Sequence, residues 1–253
     1  KTMKMYKKVM AAALAGVMTV SMSATAFAAD DDGYILKATN EDSKSSDNDL
    51  VIAIEGSVSS MDPANIPDTN AISATRGVYE TLVSFLYIFI VKFQDGTDFN
   101  AAAVKANYDR VVNKDNNLRQ RRTFIVTNED GSETPRVDSI ETPDDYTLVI
   151  KLTQAWAPFI NRLTQFCIIS PAALEEYGND IMNHPCGTGP YVCTEWEEGD
   201  HTSFKRNDDY WGDKPGVDTV TIKEVPEAGA RTAMLQTGEA DSIYPTPSDQ
   251  IEA

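Results

Sequence analysis

Apolar positions along this 253-residue chain fall into short, separate runs whose spacing predicts alternating strands and helices. Leu50-Val51-Ile52-Ala53-Ile54 is continuous and of strand length, as expected of a strand covered on both faces. Ser59-Ser60-Met61-Asp62-Pro63 turns the chain, and Ile72, Thr75, Val78, Tyr79 and Leu82 predict a helix running on to Leu82. A second helix is expected over residues 99–112, with Asn100 as its N-cap and Val104, Tyr108, Val111 and Val112 on one face. Tyr146, Leu148, Ile150 and Leu152 alternate with Thr147, Val149 and Lys151, which is strand spacing. Ser170-Pro171 supplies a cap and a first-turn proline for a helix that Gly178 should close in a left-handed conformation. Strands are expected over residues 191–195, 203–206 and 220–225, and a last helix over 228–237 that stops at Gly238. Strands and helices interleave without repeats, so the fold class is α/β.

Composition changes this picture in two ways. The formal net charge of −17 argues against nucleic acid or an anionic membrane surface as partner, and suits solubility in an exposed compartment. The N-terminus has the form of a secretory signal peptide over residues 1–28: Lys1, Lys4, Lys7 and Lys8, then apolar Val9 to Val20, then the small-x-small site Ala26-Phe27-Ala28. Residues 29–49 are acidic and serine-rich and read as a flexible leader. No cysteine adjoins the cleavage site, so the expected product is free of a lipid anchor, in the periplasm or outside the cell.

Candidate chemistry is sparse. Catalysis by Ser or Cys needs an adjacent base, and the chain has only His184 and His201 and no Gly-x-Ser-x-Gly elbow. His184, Cys186 and Cys193 match no zinc spacing, so no metal site is assigned. Acidic pairs such as Asp144-Asp145, Glu197-Glu198 and Asp208-Asp209 read as solvated turns. There is no phosphate-binding P-loop, and no cofactor is implied. Three cysteines leave at least one thiol unpaired within the chain; Cys186 and Cys193 either pair across the intervening turn or serve as plain small residues.

Two turns stand out: Gly187-Thr188-Gly189-Pro190-Tyr191, and Arg206-Asn207-Asp208-Asp209-Tyr210-Trp211-Gly212. With the opening strand and Met61-Asp62-Pro63, Val78-Tyr79-Glu80-Thr81-Leu82-Val83, residues 93–101 (FQDGTDFNA) and residues 233–241 (AMLQTGEAD), they come in an order that resembles extracellular solute-binding family 5, which serves peptide and nickel ABC transporters. The resemblance spans nearly all of residues 50–253. It implies a periplasmic binding protein type II-like fold: a mixed-sheet lobe one from residues 50–80 and 167–253, ending at a hinge, with a small inserted subdomain at 81–166. Against that pattern, the subdomain is expected to be shortened near 85–91, and the second lobe is expected to be missing from these residues.

The resemblance further implies a non-enzymatic, monomeric receptor that captures a short peptide, or nickel, glutathione, an opine or a sugar, for an ABC permease and its ATPase. The alternative is a secreted interaction or sensory module that has lost transport. Of the residues lining the family's cleft, the positions carried over here are Asp68, Thr69 and Asn70, with Tyr244 and Thr246 at the hinge. Thr69 and Asn70 would hydrogen-bond a peptide backbone, and Asp68 would pair with a cationic group. The two glycine and aromatic turns are expected to be framework.

Overall fold

The computed structural model describes residues 48–66, 68–82 and 91–247. The expected signal peptide, nearly all of the leader and the shortened join lie outside these residues. Strand β1 (Asp49–Ile54) is followed by α1 (Thr69–Thr75), α2 (Ala101–Val112), α3 (Arg121–Phe124), the hairpins β2–β3 (Ile125–Thr127, Glu133–Pro135) and β4–β5 (Val137–Asp144, Thr147–Leu152), and α4 (Phe159–Leu163). Then come α5 (Pro171–Tyr177), β6 (Tyr191–Glu197), β7 (His201–Arg206), β8 (Thr219–Glu224), α6 (Ala228–Thr237) and β9 (Ser242–Tyr244). A mixed five-stranded sheet has the order β6-β7-β8-β1-β9, with β1 parallel to both of its neighbours and β6, β7 and β8 antiparallel in turn.

The burial of β1 explains its unbroken apolar sequence. One face, carrying Ile52 and Ile54, meets the main core with Val58, Met61, Val78, Tyr79 and Phe204. The other, carrying Val51 and Ala53, meets Ala240, Ile243 and Met234 on and after α6. A second core gathers Phe93, Val104, Phe124, Val137, Phe166 and Ile168, with Phe124 edge-on to both Tyr108 and Phe166 at 5.3 and 5.5 Å between ring centres.

Local signals place most element ends where the sequence puts them. Asn100 accepts a hydrogen bond from Ala103 N–H, and Ser170 from Ala173 N–H ahead of Pro171. Gly238 ends α6 at φ 78°, ψ 13°, the left-handed cap expected of it. Gly178 also has positive φ, but at φ 55°, ψ −118° it leads into a 3-10 turn (Gly178–Met182) rather than closing the chain in the left-handed helical region. The three thiols are free, so Cys186 and Cys193 do not pair. Burial pushes Cys167 and Cys186 up to about 12 and Cys193 to about 11, which leaves them as protonated, weakly reactive core residues.

One expectation fails for an instructive reason. The helix predicted to continue through Leu82 stops at Thr75. Its would-be continuation, Gly77-Val78-Tyr79, gives its carbonyls to another segment: Gly189 N donates to Val78 O and Tyr191 N to Gly77 O, each at 2.9 Å. Side-chain periodicity in the sequence cannot register this competition for backbone carbonyls. The approach is close enough that a Cβ on Gly189 would lie 2.6 Å from Gly77 O and Val78 O, and one on Gly187 only 2.3 Å from Val78 O.

Gln94 seals the contact. Its Nε2 donates to Tyr191 O at 2.7 Å and to Gly189 O at 3.2 Å, while its Oε1 accepts from Gly187 N at 3.3 Å. Glu80 completes it by accepting from Thr188 Oγ1 and Tyr210 Oη, each at 2.7 Å, and from Trp211 Nε1 at 2.8 Å. One carboxylate thus joins the two turns that stand out in the sequence. Burial raises the Glu80 pKa above the ordinary carboxylate value, against the pull of these three hydrogen bonds.

Gly189→Ala should therefore destabilise the fold by about 1–3 kcal/mol in urea unfolding, because the obstructing atoms are backbone. Glu80→Ala should cost about 1–3 kcal/mol by leaving Thr188, Tyr210 and Trp211 without this acceptor. Glu80→Gln should be close to neutral, since its carbonyl can face Thr188 and Trp211 while its amide donates to the Tyr210 hydroxyl. A raised folded-state pKa means that the Glu80 contribution is fullest below pH 4.5 and declines as pH rises through the folded value. Stability measured from pH 4 to 7 should accordingly move in favour of Glu80→Gln over wild type as pH increases.

Candidate functional site

In open α/β sheets, ligands bind beyond the carboxyl ends of parallel strands, where backbone groups are left without a sheet partner. The parallel strands β8, β1 and β9 finish together here. Their register pairs Glu224 with Ile54 and Ile54 with Tyr244. The chain leaving β1 is held by its neighbours: Glu55 N donates to Tyr244 O at 3.0 Å, and Val58 N to Glu224 Oε1 at 2.7 Å. Beneath these ends, the fully buried Arg231 donates through Nη1 to Val225 O and Pro226 O, each at 2.7 Å, and its Nη2 lies 3.6 Å from Glu55 Oε2.

The sequence-derived positions converge on this end of the sheet. Gly56 lies two residues beyond β1, and a Cβ there would come within 2.3 Å of Asn70 Nδ2, so the Asn70 side chain lies directly over the glycine. Tyr244 ends β9 with its ring 67% exposed, and a cis peptide bond links it to Pro245 ahead of the exposed Thr246. The segment Glu55-Gly56 is thus met by the Asn70 side chain at Gly56 and by the Tyr244 carbonyl at Glu55 N. Thr69, the first residue of α1, is exposed, and its carbonyl accepts from Ser73 Oγ.

Asp68 has a structural task as well. It is the N-cap of α1, accepting from Ala71 N through Oδ1 at 2.8 Å and from the Ser59 hydroxyl through Oδ2. Its half-buried carboxylate therefore ties the loop that follows β1 to the first turn of α1, which carries Thr69 and Asn70. Asp62 anchors the other end of the loop, with a bidentate pair to Arg110 at 2.6 and 3.2 Å and an acceptor for Ala64 N. That pair is more than four-fifths buried on both sides, which sets it apart from an exposed surface pair.

Sequence reasoning missed Arg231, Glu55 and Gln94. Glu80 and Gln94 each carried a signal, as polar residues directly following the apolar Val78-Tyr79 and Phe93. The soft-ligand set His184, Cys186 and Cys193 serves other ends. The His184 ring stacks on Tyr177 at 3.9 Å, Cys186 packs against both cores while its carbonyl accepts from Ser170 N at 2.9 Å, and Cys193 lies on β6 against the main core. Tyr191, Tyr210, Trp211 and Trp196 act as framework: Tyr191 Oη donates to Val217 O at 3.1 Å, and Trp196 Nε1 to Val58 O at 2.9 Å. Among the described residues, no helix is long and apolar enough to cross a membrane.

A substitution pair separates the two tasks open to Asp68. Asp68→Asn keeps a capping oxygen and should leave thermal stability nearly unchanged, whereas Asp68→Ala should cost about 1 kcal/mol through loss of the cap. Equal losses in both variants would show that the negative charge itself holds the loop.

Comparison with known proteins places this arrangement in a lineage. A profile of bacterial extracellular solute-binding proteins, family 5 (middle), matches residues 91–253. The glutathione-binding protein GsiB of Salmonella typhimurium is 35% identical over 230 residues, covering 80% of this chain and 43% of that protein. GsiB of Escherichia coli O157:H7 is 32% identical, over 93% of this chain and 46% of its own length. The chain thus spans less than half the length of these relatives. Among solved structures, the periplasmic binding protein DppA of Helicobacter pylori, in complex with the peptide STSA, matches at TM-score 0.65 and 25% identity, over 81% of this chain and 48% of its own. NikA of Brucella suis, in complex with Fe(III)-EDTA, matches at TM-score 0.61 and 27% identity, over 76% of this chain and 42% of that one. The fold is of the periplasmic binding protein type II-like class. The chain is a member of the family 5 bacterial extracellular solute-binding proteins.

Proposed function

We propose that this chain supplies one wall of the ligand cleft of an ABC-transporter receptor that captures short peptides outside the membrane and presents them to a permease driven by an ATPase. The observation that carries this reading is the meeting of Asn70, Gly56 and Tyr244 at the carboxyl ends of the parallel strands, in a chain of this family. Backbone just beyond the strand ends can pair with a peptide main chain, and Thr69, Asn70 and Thr246 add side-chain donors and acceptors. The ring of Tyr244 offers an apolar face with a polar tip for a ligand side chain. Asp68, once its capping bonds are made, adds negative charge toward a peptide amino group.

On this reading, residues 50–80 and 167–253 form lobe one, and residues 81–166 form the inserted subdomain, which holds most of the second core. The receptor is exported after removal of residues 1–28 and works as a monomer. Relatives named for glutathione, itself a tripeptide, and for a bound tetrapeptide make these two ligands the probes of choice.

Nuclear magnetic resonance titration of the chain with glutathione, and separately with the peptide Ser-Thr-Ser-Ala, tests the proposal. Millimolar peptide should shift amides at residues 55–57, 68–70 and 244–246, and Asn70→Ala should weaken the response. An unchanged spectrum with both probes, or shifts confined to other surfaces, would overturn it. Recovery of cleaved peptide would overturn the non-enzymatic reading.

A further inference from the structure

Strands β6 and β7 form a hairpin whose tip, Glu197 to His201, stands at the same end of the sheet as the finish of β8. Their pairing is broken once, between Cys193 and Glu195; beyond that point Glu195 faces Ser203, Trp196 faces Thr202 and Glu197 faces His201. One extra residue in a strand reverses the face taken by every side chain after it. Here the bulge turns Trp196 into the main core and brings Glu195 and Glu197 to the outer face beside His201. On that face His201 Nδ1 lies 2.6 Å from Asp200 Oδ2, and Nε2 lies 3.3 Å from Glu195 Oε2. Ligand-type atoms of Glu197, Asp200 and His201 all fall within 4.8 Å of one another. An open depression bordered by Asp200, His201, Ser203, Thr221 and Lys223 adjoins the cluster.

We propose that this hairpin tip binds one divalent transition-metal ion, of the zinc or nickel type, through the His201 imidazole and the carboxylates of Glu197 and Asp200. Donor chemistry, charge and space carry the assignment independently. A nitrogen donor joined to carboxylate oxygens is the set that borderline ions take, whereas calcium and magnesium sites are built from oxygen alone. Three carboxylates (Glu195, Glu197 and Asp200) surround a single imidazole, and even a charged ring leaves two negative charges in excess. Among the described residues, Lys223, opposite His201 in the register, is the one lysine or arginine bordering the depression, and it leaves one of these still unmatched. Glu224 is not among these grouped ligand atoms, and its Oε1 accepts from Val58 N.

A divalent ion would cancel this excess, and the depression leaves room for water on its remaining coordination positions. Glu195, on the far ring nitrogen or beside the ion, is placed to orient the imidazole, as carboxylates commonly do for metal-bound histidine. The side chains of Asp200 and Glu195 are 69% and 62% exposed, so they can close on an ion without disturbing the core, while His201, at 21%, is held by the sheet.

Calorimetric titration of the chain with zinc chloride, and separately with nickel chloride, in chelator-free buffer tests the site. The expected result is saturable uptake of one ion per chain, weakened about tenfold or more by His201→Gln and by Glu197→Gln, since even outer-shell changes cost that much. His184→Gln should bind as wild type does, because that ring faces the single carboxylate of Asp180. Should His201→Gln loosen the hairpin, the unmodified chain gives a second reading: paramagnetic nickel should first broaden the amide signals of residues 195–203. Absence of saturable uptake, uptake indifferent to both substitutions, or broadening centred on His184 would overturn the proposal.

Discussion

Two stretches of backbone touching without a side chain between them is the constraint on which the rest of this structure depends. Gly187-Thr188-Gly189 lies directly against Gly77-Val78-Tyr79, at a distance that excludes even a methyl group. Such closeness would strand buried amides and carbonyls unless each found a partner. Gly189 N and Tyr191 N take the carbonyls of Val78 and Gly77, and Gln94 reads the remaining edge with both ends of its amide. Glu80, next in the chain, then draws in Thr188, Tyr210 and Trp211, so that one half-buried carboxylate fastens two turns to its own segment. The contact ends α1 early, starts β6 at Tyr191 and thereby sets the edge of the main sheet.

From that edge the sheet runs β6-β7-β8-β1-β9, and its two halves have different characters. The β1 strand is covered above and below, by the main core and by α6, and is apolar from Leu50 to Ile54. The β6–β7 side is covered on one face only. Thr202 and Phe204 point into the core, and His201 and Ser203 point away from it. A half-covered sheet keeps polar groups on its free face at little cost, since water satisfies them. The candidate ligand positions and the His201 cluster therefore share one end of the sheet but differ in chemistry. The first is a set of strand ends with amides, hydroxyls and a tyrosine ring; the second is a charged hairpin tip.

Much of the element pattern was legible because its causes are local. Asn100, Ser170-Pro171 and Gly238 act on backbone groups within four residues of themselves, and the alternation of Leu148, Ile150 and Leu152 reports a strand with one side covered. The α1 region was misread for the opposite reason. Val78 and Tyr79 do face the core, as a helical pattern requires, but their neighbouring carbonyls are claimed by residues more than a hundred positions away. The candidate site was half legible. Asn70 and Tyr244 were placed through family resemblance, while the roles of Gly56, Arg231 and Glu55 depend on contacts that no spacing along the chain encodes.

By itself the sequence determined the class of the fold, its lineage, most helix ends and the framework nature of the glycine and tyrosine-tryptophan turns. These follow from periodicity, capping chemistry and motif order, all of which act over short distances or survive as recognisable strings. Tertiary structure alone decided which carboxylates are structural and which are free. Asp68 caps a helix, Asp62 holds Arg110, and Glu80 ties two turns. Glu195 and Glu197 are turned outward by a single bulge and, with Asp200 of the hairpin turn, gather around His201. A carboxylate looks the same in the sequence whichever fate it meets. Its role is set by the donors brought within hydrogen-bonding distance, and those donors come from segments that only folding brings together.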